Sequence, residues 1–393
     1  MSDHTWSAPE TEVVQRIRER IDAEGSDVLA TVVGVEGNAY RRPGAKMLID
    51  GSGVGVGSIT AGCLEDELLA AAAAVRESGR PELVTYDLTN DDETDVWGLG
   101  VGCNGVIEVL LEPLDETYRP AVEAFAAGTD IAVLTALEGG DGIERGDRAY
   151  YRPSEKRLGA PDGTDAEAWP DDALSEPAAD LAKRGRAGTL SAERGGESES
   201  EGDALEFFVD GIAAPSELLV FGTGHDVGPV AELGERNGFR VTVVGFRGAI
   251  DLRSRFPAAH RTVTTSPGSI GTDLEIDERT YAVVMTHNFV DDRLTVEALL
   301  DSPAPYVGLM GPNERFEEMR EAFDAEDKTL EESDLARLYT PIGLDLGGAS
   351  PYRIAHSIVA EVLAVENGRT PAHLAERDGH IHDRVDVTEH GRD

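Results

Sequence analysis

The chain has 393 residues, of which 40% are hydrophobic and 28% are charged, and its formal net charge is −41. This composition allows a hydrophobic core, and so acidic a surface excludes nucleic acids and anionic membranes as partners because both would be repelled. No apolar run reaches the roughly 20 residues of a membrane helix, and the N-terminus resembles no signal peptide, so we expect a cytoplasmic protein. The surplus of acidic residues is typical of the surface of a halophilic protein. Molar salt would screen the repulsion between these charges, because the screening length at 1 M is about 3 Å.

The first 138 residues are predicted to form an α+β domain. Val13, Ile17 and Ile21 recur at helical spacing, which indicates an amphipathic helix over residues 10–23. The alanine- and leucine-rich stretch "CLEDELLAAAAAVRESG" is typical of a helix that ends at Gly79. Apolar and β-branched runs predict strands at "VLATVVGVEG", "AKMLID", "ELVTYDL", "GVIEVLLEPL" and "DIAVLTAL".

Residues 139–205 change character, because glycine, serine and acidic residues dominate there. We predict a loosely structured, acidic insertion, with candidate hairpin strands at residues 148–152 and 207–209.

Over residues 206–370, strands alternate with helices, which predicts a Rossmann-like domain with a doubly wound parallel sheet. Residues 371–393 are predicted to be a disordered tail. The fold class is therefore α/β, with an N-terminal α+β domain preceding the Rossmann-like domain in sequence.

A glycine-rich turn, "GTGH" at residues 222–225, follows the strand "LLVF" and opens a helix. Such a turn brings a phosphate close to the backbone at a helix N-terminus. Two features depart from the dinucleotide fingerprint: its third glycine position holds Val227, with Gly228 one residue late, and the next strand ends at Gly245 instead of an acid. We interpret the turn as a phosphate site, with Arg247 as a further anion contact, or as a turn that only packs its helix on the sheet.

Other polar side chains are predicted to reach the same edge of the sheet. His225 lies in the turn, and His287 follows the strand "YAVVMTH", so both follow the carboxyl ends of parallel strands, where ligands bind. Either histidine could donate to a phosphate, ligate a metal or simply bond to backbone. Two further glycine-rich loops, at residues 308–313 and 341–348, follow later strands, and Asp345 is a candidate acceptor for ligand amide or hydroxyl groups.

Both cysteines of the chain lie in glycine-rich stretches. Cys63 precedes a predicted helix, whose amino end favours the thiolate, and Cys103 stands in "GVGCNG". Soft thiolates suit transition metals and sulfur transfer, although a free cysteine is often only a small buried side chain. In "NAYRRPGAK", Arg41, Arg42 and Lys46 form a basic group that would suit an anion or else pair with the many carboxylates.

Several motifs occur in the same order as in the XdhC/CoxI family, and they cover nearly all of the chain outside residues 139–205 and the tail. They are "GNAYRRPGAKM", "GSITAGCLE", "LLVFGTGH", "VVMTHN", "YVGLMGPNERF" and "PIGLDLGGASPYRIAHSIVAEVLAV". The chain resembles this family most closely at the positions Cys63, Glu65, Gly222, Gly224, His225 and His287. It departs from the family pattern at Gly245, where a strand-end acid is usual, and in "GVGCNG", where "GCGG" is commoner.

The resemblance implies an accessory protein for xanthine dehydrogenase and related molybdenum hydroxylases, and not the hydroxylase itself. Such a protein would bind the molybdenum cofactor (molybdopterin), protect it during sulfuration by a cysteine desulfurase and insert it into the hydroxylase. The sequence leaves the oligomeric state open, with a homodimer as one option. The cofactor phosphate would rest on the glycine turn, and the thiols of Cys63 and Cys103 would face the molybdenum. The residues alone leave two alternatives open: an NAD(P)-dependent oxidoreductase that uses the Rossmann-like domain, and a thiol-based sulfur relay.

Overall fold

The computed structural model describes residues 5–22, 26–37, 39–62, 64–88, 105–140, 142–164, 166–192 and 204–376. These residues form two compact units, and the chain passes from the first to the second between Ala214 and Pro215. The first unit thus extends past residue 138, where the sequence predicted its end. Most of the predicted tail, from residue 377 onward, lies outside the described residues.

The first sheet of unit 1 has five antiparallel strands in the order β3-β2-β1-β5-β4. The bounds of these strands are β1 (Val28–Gly37), β2 (Lys46–Ile49), β3 (Gly55–Gly57), β4 (Glu82–Asp87) and β5 (Gly105–Pro113). Helix α2 (Glu65–Ser78) buries Leu68, Ala72 and Val75 in one core with the apolar side chains of β1 and β5. As predicted, α2 ends at Gly79, whose φ of 66° is a left-handed conformation that glycine adopts without strain.

The second sheet of unit 1 is also antiparallel, in the order β8-β7-β6-β10-β9. Its strands are β6 (Ile131–Ala136), β7 (Arg148–Arg152), β8 (Arg157–Gly159), β9 (Ala187–Ala192) and β10 (Leu205–Ile212). Helix α4 (Asp171–Arg184) buries Leu174, Ala178 and Leu181 in the core of this sheet. Helices α1 (Glu10–Arg20) and α3 (Arg119–Ala127) share a further core with strands of both sheets.

This second sheet corrects the prediction of a loosely structured insertion at residues 139–205. Strands β7 to β9 and helix α4 all lie in that range. The acidic residues that the structure describes in this range are exposed, whereas one face of α4 is apolar and buried. The average composition of residues 139–205 therefore did not reveal the amphipathic elements within the range, whose apolar residues lie on one face only.

Two buried ion pairs join the two sheets of unit 1. Lys46 on β2 lies 2.6 Å from Asp210 on β10, and both side chains are more than 90% buried. Arg148 on β7 bonds to Glu112 on β5, also in the interior, and burial raises the pKa of Glu112 against the opposing effect of Arg148. Lys46 therefore pairs with a carboxylate and is not part of an exposed anion-binding group.

We predict that Lys46→Met destabilises the protein by about 3 to 5 kcal/mol, because Asp210 would stay buried without its counter-ion. The double variant Lys46→Met/Asp210→Leu should recover much of this loss, since both charges are then removed. The free energy of unfolding in urea measures the effect, with Lys183→Met as the control because Lys183 is exposed. Equal stabilities of Lys46→Met and Lys183→Met would contradict the prediction.

Unit 2 contains a six-stranded parallel sheet in the order β13-β12-β11-β14-β15-β16, which confirms the predicted doubly wound fold. Its strands are β11 (Glu217–Phe221), β12 (Arg240–Gly245), β13 (Arg261–Thr264), β14 (Thr280–Val284), β15 (Tyr306–Leu309) and β16 (Leu338–Tyr339). Its helices are α5 (Val227–Arg236), α6 (Leu252–Arg255), α7 (Ile270–Asp273), α8 (Phe289–Leu300), α9 (Asn313–Ala325), α10 (Glu332–Leu335) and α11 (Pro351–Glu366).

Successive side chains of each central strand enter opposite cores. Leu218 and Val220 of β11 belong to the core that also contains residues of α5 and α11, whereas Leu219 and Phe221 belong to the core with residues of α8 and α9. Both faces of the sheet are thus covered, as expected for parallel strands with near-continuous apolar sequence. Within the described ranges, no helix is long and apolar enough to cross a membrane.

Candidate functional site

The candidate site lies at the switch point of the parallel sheet, where the chain order of the strands reverses. Strand β11 pairs with β12 on one side and with β14 on the other. The turns that follow β11 and β14 therefore leave the sheet next to each other, at its carboxyl edge, which is where open parallel sheets bind ligands. Residues 222–226 form the first turn and residues 285–288 form the second.

Gly222 allows the two turns to approach closely. Its φ is 155°, and a Cβ added to it would lie 2.6 Å from the carbonyl oxygen of Met285. The backbone here continues the sheet: Met285 N donates to Phe221 O at 2.9 Å, and Gly222 N donates to Val244 O at 3.0 Å. Only glycine fits this position without moving the second turn.

A hydrogen-bonded pair of side chains, Asp226 and His287, connects the two turns. Nε2 of His287 lies 2.8 Å from Oδ2 of Asp226. Because a carboxylate can only accept, Nε2 of the imidazole is the donor. The side chain of His287 is 55% exposed and that of Asp226 is 20% exposed, so the pair stands at the surface of the crevice. His287 has a φ of 59°, an uncommon conformation for a residue other than glycine and one typical of functional sites.

The Asp226–His287 pair fills the space beside Gly224. A Cβ added to Gly224 would lie 2.3 Å from Oδ1 of Asp226 and 3.5 Å from Nε2 of His287. The sequence predicted that a phosphate would rest on this turn. The structure places the carboxylate of Asp226 beside Gly224, so we expect an anion at this turn to contact the outer side of the Asp226–His287 pair.

Buried groups hold the turn that carries His287. Asp292 on α8 is 1% exposed, and its carboxylate accepts from the backbone N of Thr286 and from the hydroxyl of Thr286. Arg315 on α9 donates to the other oxygen of the same carboxylate. Asn288 caps α8 by accepting from Asp291 N at 3.0 Å. The unusual backbone of His287 is therefore flanked on both sides by bonded residues.

The other predicted residues of this edge differ in their exposure. His225 and Asp345 are exposed, as is Arg247. Gly245 is buried and supplies no carboxylate, and a Cβ there would lie 3.1 Å from both Leu252 and Thr223, so a ribose-binding acid at this strand end would require these side chains to shift. Among the described residues, this edge therefore presents His225, His287 and Arg247 to an anion, and the end of β12 has no acidic side chain for a ribose.

A buried carboxylate fixes the loop that carries Asp345. Oε2 of Glu361 on α11 accepts from the hydroxyl of Tyr306 at 2.7 Å and from Gly343 N at 2.9 Å. Burial, followed by the charge of Glu361, raises the pKa of Tyr306 well above its ordinary value, so the hydroxyl stays protonated and remains a donor. Glu361 thereby ties the loop after β16 to strand β15.

The predicted residues of unit 1 have mostly internal partners. Arg41 bonds to Glu10, and burial, followed by the charge of Arg42, lowers the pKa of Arg41. Arg42 is exposed. Glu65 is 8% exposed, and its carboxylate accepts from the hydroxyl of Thr60 at 2.8 Å and from the backbone N of the preceding residue at 3.0 Å. Glu65 therefore stabilises the turn before α2, which is a structural role.

Cys63 and Cys103, the two predicted molybdenum contacts, lie outside the described residues. Among the residues that are described, no three His, Cys, Asp or Glu side chains come together as a metal site.

The sequence analysis missed two residues of the candidate site, Asp226 and Asp292. The sequence signal for Asp226 was the position of Gly228, one residue later than the third glycine of the dinucleotide fingerprint. Asp226 is one of the three residues between Gly224 and Gly228, where the fingerprint has two. We find no signal for Asp292 in the sequence.

We predict that Gly222→Ala destabilises unit 2 by about 3 kcal/mol, because the new methyl group would meet the Met285 carbonyl and the backbone has a positive φ. Gly228→Ala is the matched control, since a Cβ at Gly228 meets nothing within 4 Å. Its expected effect is a stabilisation of up to about 1 kcal/mol, because Gly228 lies in α5. Thermal unfolding of both variants tests this, and a stable Gly222→Ala protein would contradict it.

Comparison with known proteins agrees with this two-unit architecture. Residues 10–87 match the model of the XdhC and CoxI family, and residues 218–362 match the model of the XdhC Rossmann domain. A crystal structure of a xanthine dehydrogenase from Bacillus halodurans superposes with a TM-score of 0.69 and 24% identity, over 94% of this chain and 98% of that one.

Two curated relatives are similar in sequence. The chain is 27% identical over 340 residues to a probable subunit of xanthine dehydrogenase from Bacillus subtilis, which covers 86% of this chain and 92% of the relative. It is 26% identical over 184 residues to the uncharacterized protein YqeB of Escherichia coli, over 46% of this chain and 32% of the relative. With both family models matched in order, the chain belongs to the XdhC and CoxI family.

Proposed function

We propose that this protein is an accessory factor of a xanthine dehydrogenase-type molybdenum hydroxylase. It binds the molybdenum cofactor, protects it while a cysteine desulfurase supplies the sulfur, and inserts it into the hydroxylase. Family membership and the name of the Bacillus subtilis relative support the association with xanthine dehydrogenase. The observation that carries the binding role is the crevice at the switch point of unit 2, where His287 is held at the end of β14.

The chemistry of this crevice suits a phosphate-bearing cargo at its outer side. Nε2 of His287 is bonded to Asp226, and Nδ1 of the exposed ring donates to a phosphate in the doubly protonated form of the imidazole. His225 is exposed in the neighbouring turn and offers a second imidazole. The glycine turn forms the wall of the crevice, and Asp345 lies in the loop after β16, where it can accept from the amide or amino groups of a pterin.

Unit 1 supplies the sulfur chemistry in this proposal. The thiol of Cys63, together with that of Cys103, contacts the molybdenum or its exchangeable sulfur, because thiolates are soft ligands. Glu65 holds the turn in which Cys63 stands in sequence, through its bonds to Thr60 and Leu64. Arg42, exposed in the loop before β2, is available to an anionic group of the cargo.

The first test is the cargo itself. Protein purified from a host that makes the cofactor should contain molybdenum and pterin, also when the host lacks the hydroxylase. His287→Gln should lower the pterin content roughly tenfold or more, because one charge-assisted hydrogen bond is lost. His373→Gln is the control, since this exposed histidine lies beyond α11. Metal analysis and the fluorescence of the oxidised pterin measure both contents, and an unloaded wild-type protein would refute the proposal.

A second test addresses the thiol. Cys63→Ser should lower the ratio of molybdenum to pterin in the purified protein while the pterin content stays near that of the wild type, because serine is a poor ligand for a soft metal. The same two measurements give this ratio. If Cys63→Ser retains molybdenum in the wild-type ratio, Cys63 does not contact the metal, even if the protein carries the cofactor.

A further inference from the structure

We propose that Asp226 makes the glycine turn reject ligands that carry a diphosphate, so that the crevice does not take a dinucleotide such as NAD or NADP. This goes beyond the proposed function, because it concerns the ligand class that the crevice excludes, and that class includes any dinucleotide form of the molybdenum cofactor. It rests on the spacing of the glycines, the space beside Gly224 and the pairing of Asp226.

The spacing of the turn is the first observation. The dinucleotide fingerprint G-x-G-x-x-G has two residues between its second and third glycines. Here three residues, His225, Asp226 and Val227, separate Gly224 from Gly228. The turn is one residue longer than the fingerprint allows, and Asp226 is the last residue before helix α5.

The space beside Gly224 is the second observation. In a dinucleotide site, the second glycine lacks a side chain so that the pyrophosphate can approach the backbone. At Gly224, the point that a Cβ would occupy lies 2.3 Å from Oδ1 of Asp226. The carboxylate thus stands in the space that a pyrophosphate would need, and Asp226 is held there by its bond of 2.8 Å to His287.

The balance of charge is the third observation. A diphosphate would have to displace the carboxylate of Asp226 or lie against it, and like charges at such distances repel strongly where water is partly excluded. No compensating site is present at the neighbouring strand end, since Leu252 and Thr223 crowd Gly245, where a ribose-binding acid would stand. The crevice therefore lacks both recognition elements of a dinucleotide among its described residues.

The experiment is a calorimetric titration of the full chain with ADP, and separately with NADH. Wild-type protein should bind either probe only weakly, whereas Asp226→Asn should bind ADP roughly tenfold more tightly. Asparagine keeps the size of the side chain and can still accept from His287, so the variant changes chiefly the charge. Asp301→Asn is the control, because it removes one carboxylate after the end of α8, at the opposite edge of the sheet.

Salt separates a charge effect from a change of shape. The ratio of the Asp226→Asn and wild-type affinities should fall between about 0.1 M and about 1 M salt, because salt screens the repulsion. Asp226→Ser repeats the loss of charge with a smaller side chain and should also gain affinity. Micromolar binding of NADH by the wild type, or equal ADP affinities of wild type, Asp226→Asn and Asp226→Ser, would overturn the inference. Neither result depends on whether the protein carries molybdenum.

Discussion

The parallel pairing of β11 with β14 determines where this molecule can bind a ligand. Phe221 lies opposite Val284, so both strands end at the same level and their turns leave the sheet together. Because β12 and β15 continue the sheet in opposite directions from this pair, no strand in the described part of the chain covers the turns. The close approach of the turn with Gly222 to the turn with His287 follows from that register.

The close approach of two turns explains the unusual residues in them. Gly222 has no side chain because the Met285 carbonyl occupies the space, and His287 adopts a positive φ directly after the same strand. Such a conformation persists where neighbouring bonds hold it, and here Asp292 holds the residue before His287 while Asp226 holds its imidazole. The site is thus preorganised from the second turn, and the buried Asp292–Arg315 pair supports it from beneath.

The sequence predicted the parallel sheet, the glycine turn and the two histidines, because regular alternation and glycine spacing are local signals. Of the second sheet of unit 1, it predicted strands that correspond to β6, β7 and β10 but not β8, β9 or helix α4. β9 and α4 are rich in small or acidic residues, and the apolar positions of α4 appear only when one face is considered. Nor could the sequence show that Lys46 is buried against Asp210, because that pair joins residues 164 positions apart. The pairing of Asp226 with His287 is likewise a contact between segments that are distant in sequence. The glycine spacing indicated an unusual turn at Asp226 but not its partner.

A protein with a net charge of −41 attracts an anionic ligand only where its own carboxylates are compensated locally. In the crevice of unit 2, Arg315 already has Asp292 as its partner, and the exposed side chains that can donate to an anion include Arg247, His225 and His287. Nε2 of His287 is already bonded to Asp226. An anion at this edge therefore meets the carboxylate of Asp226 as well as these donors, so the discrimination between ligands depends on how much negative charge they bring to the turn.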